Sequence, residues 1–157
     1  ILREKYYPIK MIITAKDILK TKNFVNFITK NGLCRDIIIL PNLPNKVMAA
    51  FCHLATLAVN STLFEGGFPF TFSEAMSVGT PSLLSKIPVV EEVITDPNMQ
   101  SYMLFDPYNL DEIVEKICWG IDNRDTLYQI EKPLYDEMKK RTWGDVATDY
   151  YNIAQRL

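Results

Sequence analysis

Short apolar runs alternate with helix-like patterns along nearly the whole chain, and this alternation restricts the fold more than any other feature. The runs are almost continuously hydrophobic, which is typical of strands buried on both faces of a parallel sheet. They lie at 9–14, 36–40, 57–61, 81–85 and 102–105. We therefore predict an α/β fold, a doubly wound parallel sheet with helices on both faces. With no internal repeat and no linker, residues 1–157 are expected to form a single domain.

Capping patterns mark where several of the helices begin. Two pairs have the spacing of a capping box, in which the side chain of each residue accepts the backbone N–H of the other: Asn109 with Glu112, and Thr142 with Asp145. Asn45 is predicted to cap the helix that follows it. Pro133 is predicted to break the helical region that contains it, because proline lacks the N–H that a helix interior needs.

Composition excludes several classes of protein. The formal net charge is −2 and the pI about 5.4, so the chain is not a basic nucleic-acid binder. The three cysteines are far apart and His53 is the only histidine, which predicts reduced thiols in the cytosol and no metal site. No apolar run approaches the roughly 20 residues of a membrane helix. The sequence lacks both a signal peptide and a first methionine, so we expect a fragment.

The stretch EGGFPFTFSE at 65–74 lies where a strand passes into a helix, the place where ligands bind in open α/β sheets. Gly66 and Gly67 can adopt positive φ and let backbone N–H groups approach a ligand. A helix that starts near Phe72 would offer its N-terminus to a phosphate. Glu65 and Glu74 could bind sugar hydroxyls, so the stretch fits a sugar nucleotide. It also fits an ordinary Gly-Gly turn, a helix-dipole glutamate and core phenylalanines.

Read as a whole, residues 60–94 resemble the signature of family 4 retaining glycosyltransferases, the glycogen-synthase-like group with the GT-B fold. FEGG, SEAMSVGTP, LLS and EEVI follow the order of that signature. MIITAKD, NGLCRDIIILPNLPNKVMAAFCHLA, FDPYNLDEI and RTWGDVATDYYNI resemble other parts of the family's C-terminal domain. The resemblance implies a Rossmann-like, nucleotide-sugar-binding domain. It also implies that the first strand–helix unit of this domain and the N-terminal acceptor domain are missing.

The resemblance gives individual residues a role. Glu65 matches the first glutamate of the family motif, near the transferred sugar, and is the candidate catalytic residue; Glu74 matches the second, which binds the ribose hydroxyls. The family stretch whose backbone N–H groups bind the sugar hydroxyls and the diphosphate is matched here by Gly66, Gly67, Phe68, Phe70 and Thr71. The chain after the second strand, at Pro41, Asn42 and Leu43, matches the segment that meets the nucleobase. Gly79 is expected to lie in a structural turn that joins a helix to a strand.

Three departures from the family pattern are visible. One extra residue separates Glu65 from Glu74, Pro69 removes a backbone donor near the second loop glycine, and the family's phosphate-binding Arg and Lys precede the part matched here. We therefore expect the isolated chain to be inactive.

The function implied is the donor-binding part of a hexosyltransferase that moves a sugar from a GDP- or UDP-linked donor to a glycan or lipid-linked acceptor. The resemblance is to bacterial enzymes that build surface polysaccharides in the cytoplasm or at the inner face of the membrane. No D-x-D triplet occurs and no cofactor is expected. Two alternatives stay open at this point: a non-catalytic nucleotide-binding or assembly module of the same fold, and a GT-B-like sugar-nucleotide epimerase.

Overall fold

A computed structural model describes residues 1–6, 8–14, 21–40 and 43–156 of the chain. They form two compact units, Ile1–Leu54 and Ala55–Leu157. Each predicted apolar run contains a strand, and every strand pair among the described residues is parallel. The α/β class with parallel strands is thus confirmed, whereas the single domain stays a prediction.

The first unit contains a two-stranded parallel sheet, β1 paired with β2. Its elements are, in order, α1 (Leu2–Lys5), β1 (Met11–Ile13), α2 (Lys22–Lys30), β2 (Ile37–Ile39) and α3 (Asn45–Leu54). Asp36, just before β2, is almost fully buried, and its carboxylate forms ion pairs with Arg3 at 3.2 Å and Lys10 at 3.5 Å. These cations compensate a charge that would otherwise be costly to bury.

The second unit is built on a three-stranded parallel sheet in the order β3-β4-β5. Its elements are, in order, β3 (Ala58–Asn60), α4 (Phe70–Ser77), β4 (Ser82–Ser85), α5 (Pro88–Glu91), α6 (Pro97–Met103), β5 (Leu104–Phe105), α7 (Leu110–Asp122), α8 (Arg124–Met138) and α9 (Trp143–Ala154). The central strand β4 is buried along its whole length. Phe72 and Met76 of α4 pack in the same core as Leu83 and Leu84 of β4, so this core fixes the start of α4.

The predicted N-caps of α7 and α9 are present, and among the described residues the reciprocal bond of a capping box is found for α9 alone. The side chain of Asn109 accepts the backbone N–H of Glu112 at 3.2 Å. Thr142 and Asp145 form a complete capping box at the start of α9. The sequence also predicts Leu157 as the last apolar residue of this helix, but Leu157 lies outside the described residues.

Two predictions about helix boundaries were wrong. Asn45 is the first residue of α3 rather than its cap, because the carbonyl of Pro44 already accepts the N–H groups of Val47 and Met48. Pro133 does not break the helix but lies inside α8. It is exposed, as is Gln129, whose carbonyl loses its helical partner at this proline and can be hydrated. The opposite face of α8 packs on the core and keeps the helix continuous.

The prediction that the strands are buried on both faces is confirmed for β4 and β5. It was wrong for β1, β2 and β3, which are partly exposed. The middle residues Ile12, Ile38 and Val59 are each nearly two-fifths exposed. Ile12 and Ile38 pair in register, so they share one exposed sheet face. None of the helices in the described ranges combines the length and apolar character needed to span a membrane.

Candidate functional site

The candidate site is a cavity of about 410 Å³ at the carboxyl end of β3. It is open to solvent on one side and is bordered by the end of that strand, residues 65–69 of the loop 61–69 and the first turn of α4. The residues that line it are Asn60, Glu65, Gly66, Gly67, Phe68, Pro69, Phe70 and Thr71. The structure therefore brings together six of the ten residues predicted from the sequence, and it places them at the edge of a parallel sheet where α/β proteins bind ligands.

The phenylalanines around the cavity divide into core and surface residues. Phe72 is fully buried, and the ring of Phe68 meets it edge to face with centroids 5.5 Å apart. Phe70, between them, is 80% exposed and lines the cavity. The loop is thus anchored to the core through Phe68, while the ring of Phe70 is free to contact a ligand.

The helix that leaves the cavity begins at Phe70, two residues earlier than predicted. Its N-cap is the buried Pro69, which has no side-chain oxygen to accept the first N–H groups of the helix. The N–H of Phe72 bonds to the carbonyl of Pro69 at 3.2 Å. The N–H groups of Phe70 and Thr71 belong to the uncapped first turn, where the helix dipole is positive. This end of the cavity can stabilise negative charge.

Neither Gly66 nor Gly67 adopts the positive φ that the sequence allowed; among the glycines it occurs at Gly32 and Gly79. A Cβ atom added to Gly66 or Gly67 would have no atom within 4 Å. The backbone therefore does not require glycine at these two positions, and the space beside them is open. Gly79, with φ 85°, lies in the turn between α4 and β4, as predicted.

Sequence reasoning missed Asn60, the last residue of β3. Its side chain accepts the N–H of Thr62 at 3.1 Å and donates to the hydroxyl of Thr71 at 2.9 Å, so it ties both ends of the loop together. The one available signal was its place: a polar residue at the carboxyl end of a strand, directly before the loop.

The remaining predicted site residues lie elsewhere or outside the description. Glu74 is exposed on α4 and is not among the residues that line the cavity. Leu43 belongs to the first unit, and Pro41 and Asn42 lie outside the described residues. Over the described parts of the chain, no three His, Cys, Asp or Glu side chains are grouped as metal ligands. The roles of Glu65, Glu74, Asn42 and Leu43 stay predictions.

Several solved structures resemble this fold. HepE from Anabaena, solved with UDP, superposes with a TM-score of 0.72 at 18% identity, over 96% of this chain and 41% of HepE. Sucrose-phosphate synthase from Thermosynechococcus elongatus gives a TM-score of 0.70 at 14% identity, over 90% of this chain and 35% of that enzyme. The C-terminal domain of LpcC, a glycosyl transferase group 1 family protein from Francisella tularensis, gives a TM-score of 0.67 at 20% identity, over 89% of this chain and 73% of that domain.

These structures confirm the Rossmann-like fold of a GT-B C-terminal half. The chain spans about two-fifths of the length of HepE. A comparison with curated proteins finds no match. The sequence profile of the family described as glycosyl transferases group 1 matches residues 1–141. Since that match covers most of the chain, the protein belongs to the group 1 glycosyl transferases.

Proposed function

We propose that this chain is the donor-binding part of a retaining glycosyltransferase that moves a hexose from a nucleotide diphosphate sugar to an acceptor. One observation carries the proposal: the family-matched segment 65–71 lines a cavity that ends at the uncapped N-terminus of α4. Membership of the group 1 family supports glycosyl transfer as the reaction.

The diphosphate of the donor would occupy the end of the cavity next to α4. Uncapped N–H groups and the positive end of a helix dipole are a recurrent arrangement for binding phosphate. In the transfer step the bond between the anomeric carbon and the diphosphate oxygen breaks, and negative charge grows on the leaving diphosphate. Donors fixed at Phe70 and Thr71 stabilise that charge without reorganisation, which is a large contribution to catalysis in many enzymes.

The transferred sugar would lie against the other end of the loop. Glu65 is half-buried in the cavity wall, where its carboxylate can bind sugar hydroxyls or stabilise positive charge that develops on the ring. The open space beside Gly66 and Gly67 allows a ligand to approach the backbone closely. Glu74 is assigned the ribose hydroxyls, and Asn42 and Leu43 the base, on the resemblance of their sequence positions.

The donor is GDP- or UDP-linked, and we propose that no metal or other cofactor takes part. HepE has been solved with UDP and with UDP-glucose, which supports a uridine nucleotide as the carrier of the donor sugar. The acceptor, a glycan or a lipid-linked sugar, would be bound by an N-terminal domain of the parent enzyme. The enzyme would then build a bacterial surface polysaccharide from the cytoplasmic side, associated with the membrane surface.

An NMR titration of the chain with GDP, UDP, GDP-mannose and UDP-glucose tests the donor site. We expect shifts at Gly66–Thr71 and Glu74, a preference for one base, and weaker binding by Glu74→Ala. Glu115→Ala, which removes an exposed carboxylate from α7, is the matched control and should bind like the unaltered chain. Shifts that avoid the 65–74 stretch would contradict the proposed site, and equal binding by the two variants would remove Glu74 from it.

A second measurement tests the division of labour between domains. The chain alone should transfer no sugar from the donor it binds, because the acceptor would be held by the other domain. Turnover of a nucleotide sugar onto an acceptor by this chain would contradict that part of the proposal.

A further inference from the structure

We propose that Asn60 is a positioning residue that makes the hydroxyl of Thr71 a hydrogen-bond donor to an anionic ligand in the cavity. The inference rests on the proposed function, because it takes the ligand to be a nucleotide diphosphate. Both residues line the cavity, Asn60 at the end of β3 and Thr71 in the first turn of α4.

The orientation of the Asn60 amide follows from its two partners. The backbone N–H of Thr62 can only donate, so the atom that faces it at 3.1 Å must be the carbonyl oxygen Oδ1. The other end of the amide, Nδ2, therefore faces Thr71 Oγ1 at 2.9 Å. Nδ2 can only donate, and the direction of this second bond is thereby fixed.

The hydroxyl of Thr71 accepts in that bond, so its own hydrogen has to point elsewhere. Threonines in helices often donate this hydrogen to the carbonyl four residues earlier. Thr29 does so to Val25 at 3.0 Å and Thr148 to Gly144 at 2.9 Å. Within the part of the chain that the structure describes, the hydroxyl of Thr71 is recorded only as an acceptor. Asn60 therefore leaves it a donor with unused capacity beside the cavity.

A hydroxyl donor in this position favours an anionic oxygen. Hydrogen bonds to charged acceptors are roughly twice as strong as neutral ones. The hydroxyl also lies on the same helical turn as the N–H groups of Phe70 and Thr71, which attract negative charge. We infer that Thr71 adds a side-chain donor to the backbone donors that hold a phosphate of the ligand.

Substitutions can separate the direction of the bond from the fold of the loop. Asn60→Asp keeps an acceptor for the Thr62 N–H, but a carboxylate accepts from Thr71, which reverses the second bond and turns lone pairs toward the ligand. Thr71→Val removes the hydroxyl at nearly constant shape, and Thr71→Ser restores it. Binding of UDP and GDP is measured by titration, and Thr62 amide exchange reports whether the loop stays closed.

We expect Thr71→Val to weaken binding of the preferred nucleotide about tenfold, in line with one charged hydrogen bond, and Thr71→Ser to bind nearly as the unaltered chain. Asn60→Asp should weaken binding at least as much. The new carboxylate also repels phosphate directly, and the loss of affinity from this repulsion occurs whether or not Thr71 keeps its hydroxyl. The loss caused by Asn60→Asp should therefore be several-fold smaller when Thr71→Val is also present.

The outcomes distinguish this inference from the proposed function. Equal losses from Asn60→Asp with and without the Thr71 hydroxyl, or no loss from Thr71→Val, would overturn the inference and leave the donor site standing. If Asn60→Asp exposes the Thr62 amide, the comparison of Thr71→Val with Thr71→Ser decides alone, and equal affinities overturn the inference. An unaltered chain that binds neither UDP nor GDP overturns the proposed function, and the assigned ligand of Thr71 with it.

Discussion

The carboxyl group of Glu131 in α8 accepts the backbone N–H of Ser82, the first residue of β4, with both oxygens 3.0 Å from the nitrogen. Both residues are buried and 49 positions apart in the sequence. The contact therefore joins a late helix to the central strand of the second unit. Burial raises the pKa of Glu131 to about 9, although the bond from Ser82 acts in the opposite direction.

This raised pKa predicts that the second unit loses stability as the pH rises from about 5 to 9. In this range the folded protein keeps a proton on Glu131 that the unfolded chain, with a pKa of 4.5, releases. The free energy of unfolding should fall by up to about 1.4 kcal/mol per pH unit. Urea denaturation at several pH values measures the slope.

Glu131→Gln is the control, since its amide oxygen still accepts the Ser82 N–H but does not titrate. The slope should vanish in this variant. The pKa values of Asp136 and Asp145 are lowered from 3.8, so these groups change the stability only below that pH. The pKa values of Lys132 and Lys140 are raised from 10.5, so these groups change it only above that pH. Both effects lie outside the range from about pH 5 to 9. The same slope in both proteins would show that Glu131 is ionised in the folded state.

Local sequence signals predicted the elements of this fold well. The caps at Asn109 and Thr142 depend on residues three positions apart, and the strands on continuous apolar runs, so both can be read along the chain. Pro133 failed as a helix breaker because packing of the far face of α8 on the core outweighs one lost hydrogen bond. The partner of Glu131 was beyond reach, since only the folded chain brings Ser82 to it.

The candidate site, like the fold, was predicted from the sequence only in part. The EGGFPFT segment was found because its composition and order carry a family pattern, and the structure folds it around one cavity. Asn60 was missed because its role depends on an amide bond to Thr71 that forms only when the loop closes. The sequence also gave no sign that Gly66 and Gly67 would avoid positive φ.

We predict that Gly66→Ala and Gly67→Ala impair donor binding without destabilising the fold. Neither glycine has positive φ or an atom within 4 Å of an added Cβ, so alanine should leave stability unchanged or raise it by about 0.4–1 kcal/mol. The added methyl group would occupy space proposed for the ligand. Nucleotide titration and thermal unfolding of each variant measure the two effects.

Gly79→Ala supplies the opposite case on the same helix–strand unit. Its φ of 85° is unfavourable for alanine, which should cost about 1–2 kcal/mol of stability. Donor affinity measured well below the unfolding transition should change little. Full donor affinity in both Gly66→Ala and Gly67→Ala would show that the ligand does not approach the loop backbone there.

Phe68 of the loop and Phe70 of α4 should respond differently to truncation. Phe68→Ala removes the edge-to-face contact with Phe72 and part of the core packing, and should cost about 2 kcal/mol. Phe70→Ala removes a ring that is 80% exposed, and should change stability by less than about 0.5 kcal/mol. Chemical denaturation of both variants compares them; equal destabilisation would mean that Phe68 does not anchor the loop.

The capping box of α9 should control the stability of that helix more than packing does. None of the residues of α9 is buried, and Trp143 and Tyr150 are largely exposed, so its first turn depends on the bonds between Thr142 and Asp145. Thr142→Ala should cost about 1 kcal/mol, a roughly fivefold loss of amide protection in α9. Thr142→Ser keeps the hydroxyl and should retain protection. Hydrogen exchange followed by NMR resolves the helix, and unchanged protection in Thr142→Ala would mean that contacts other than the cap hold α9.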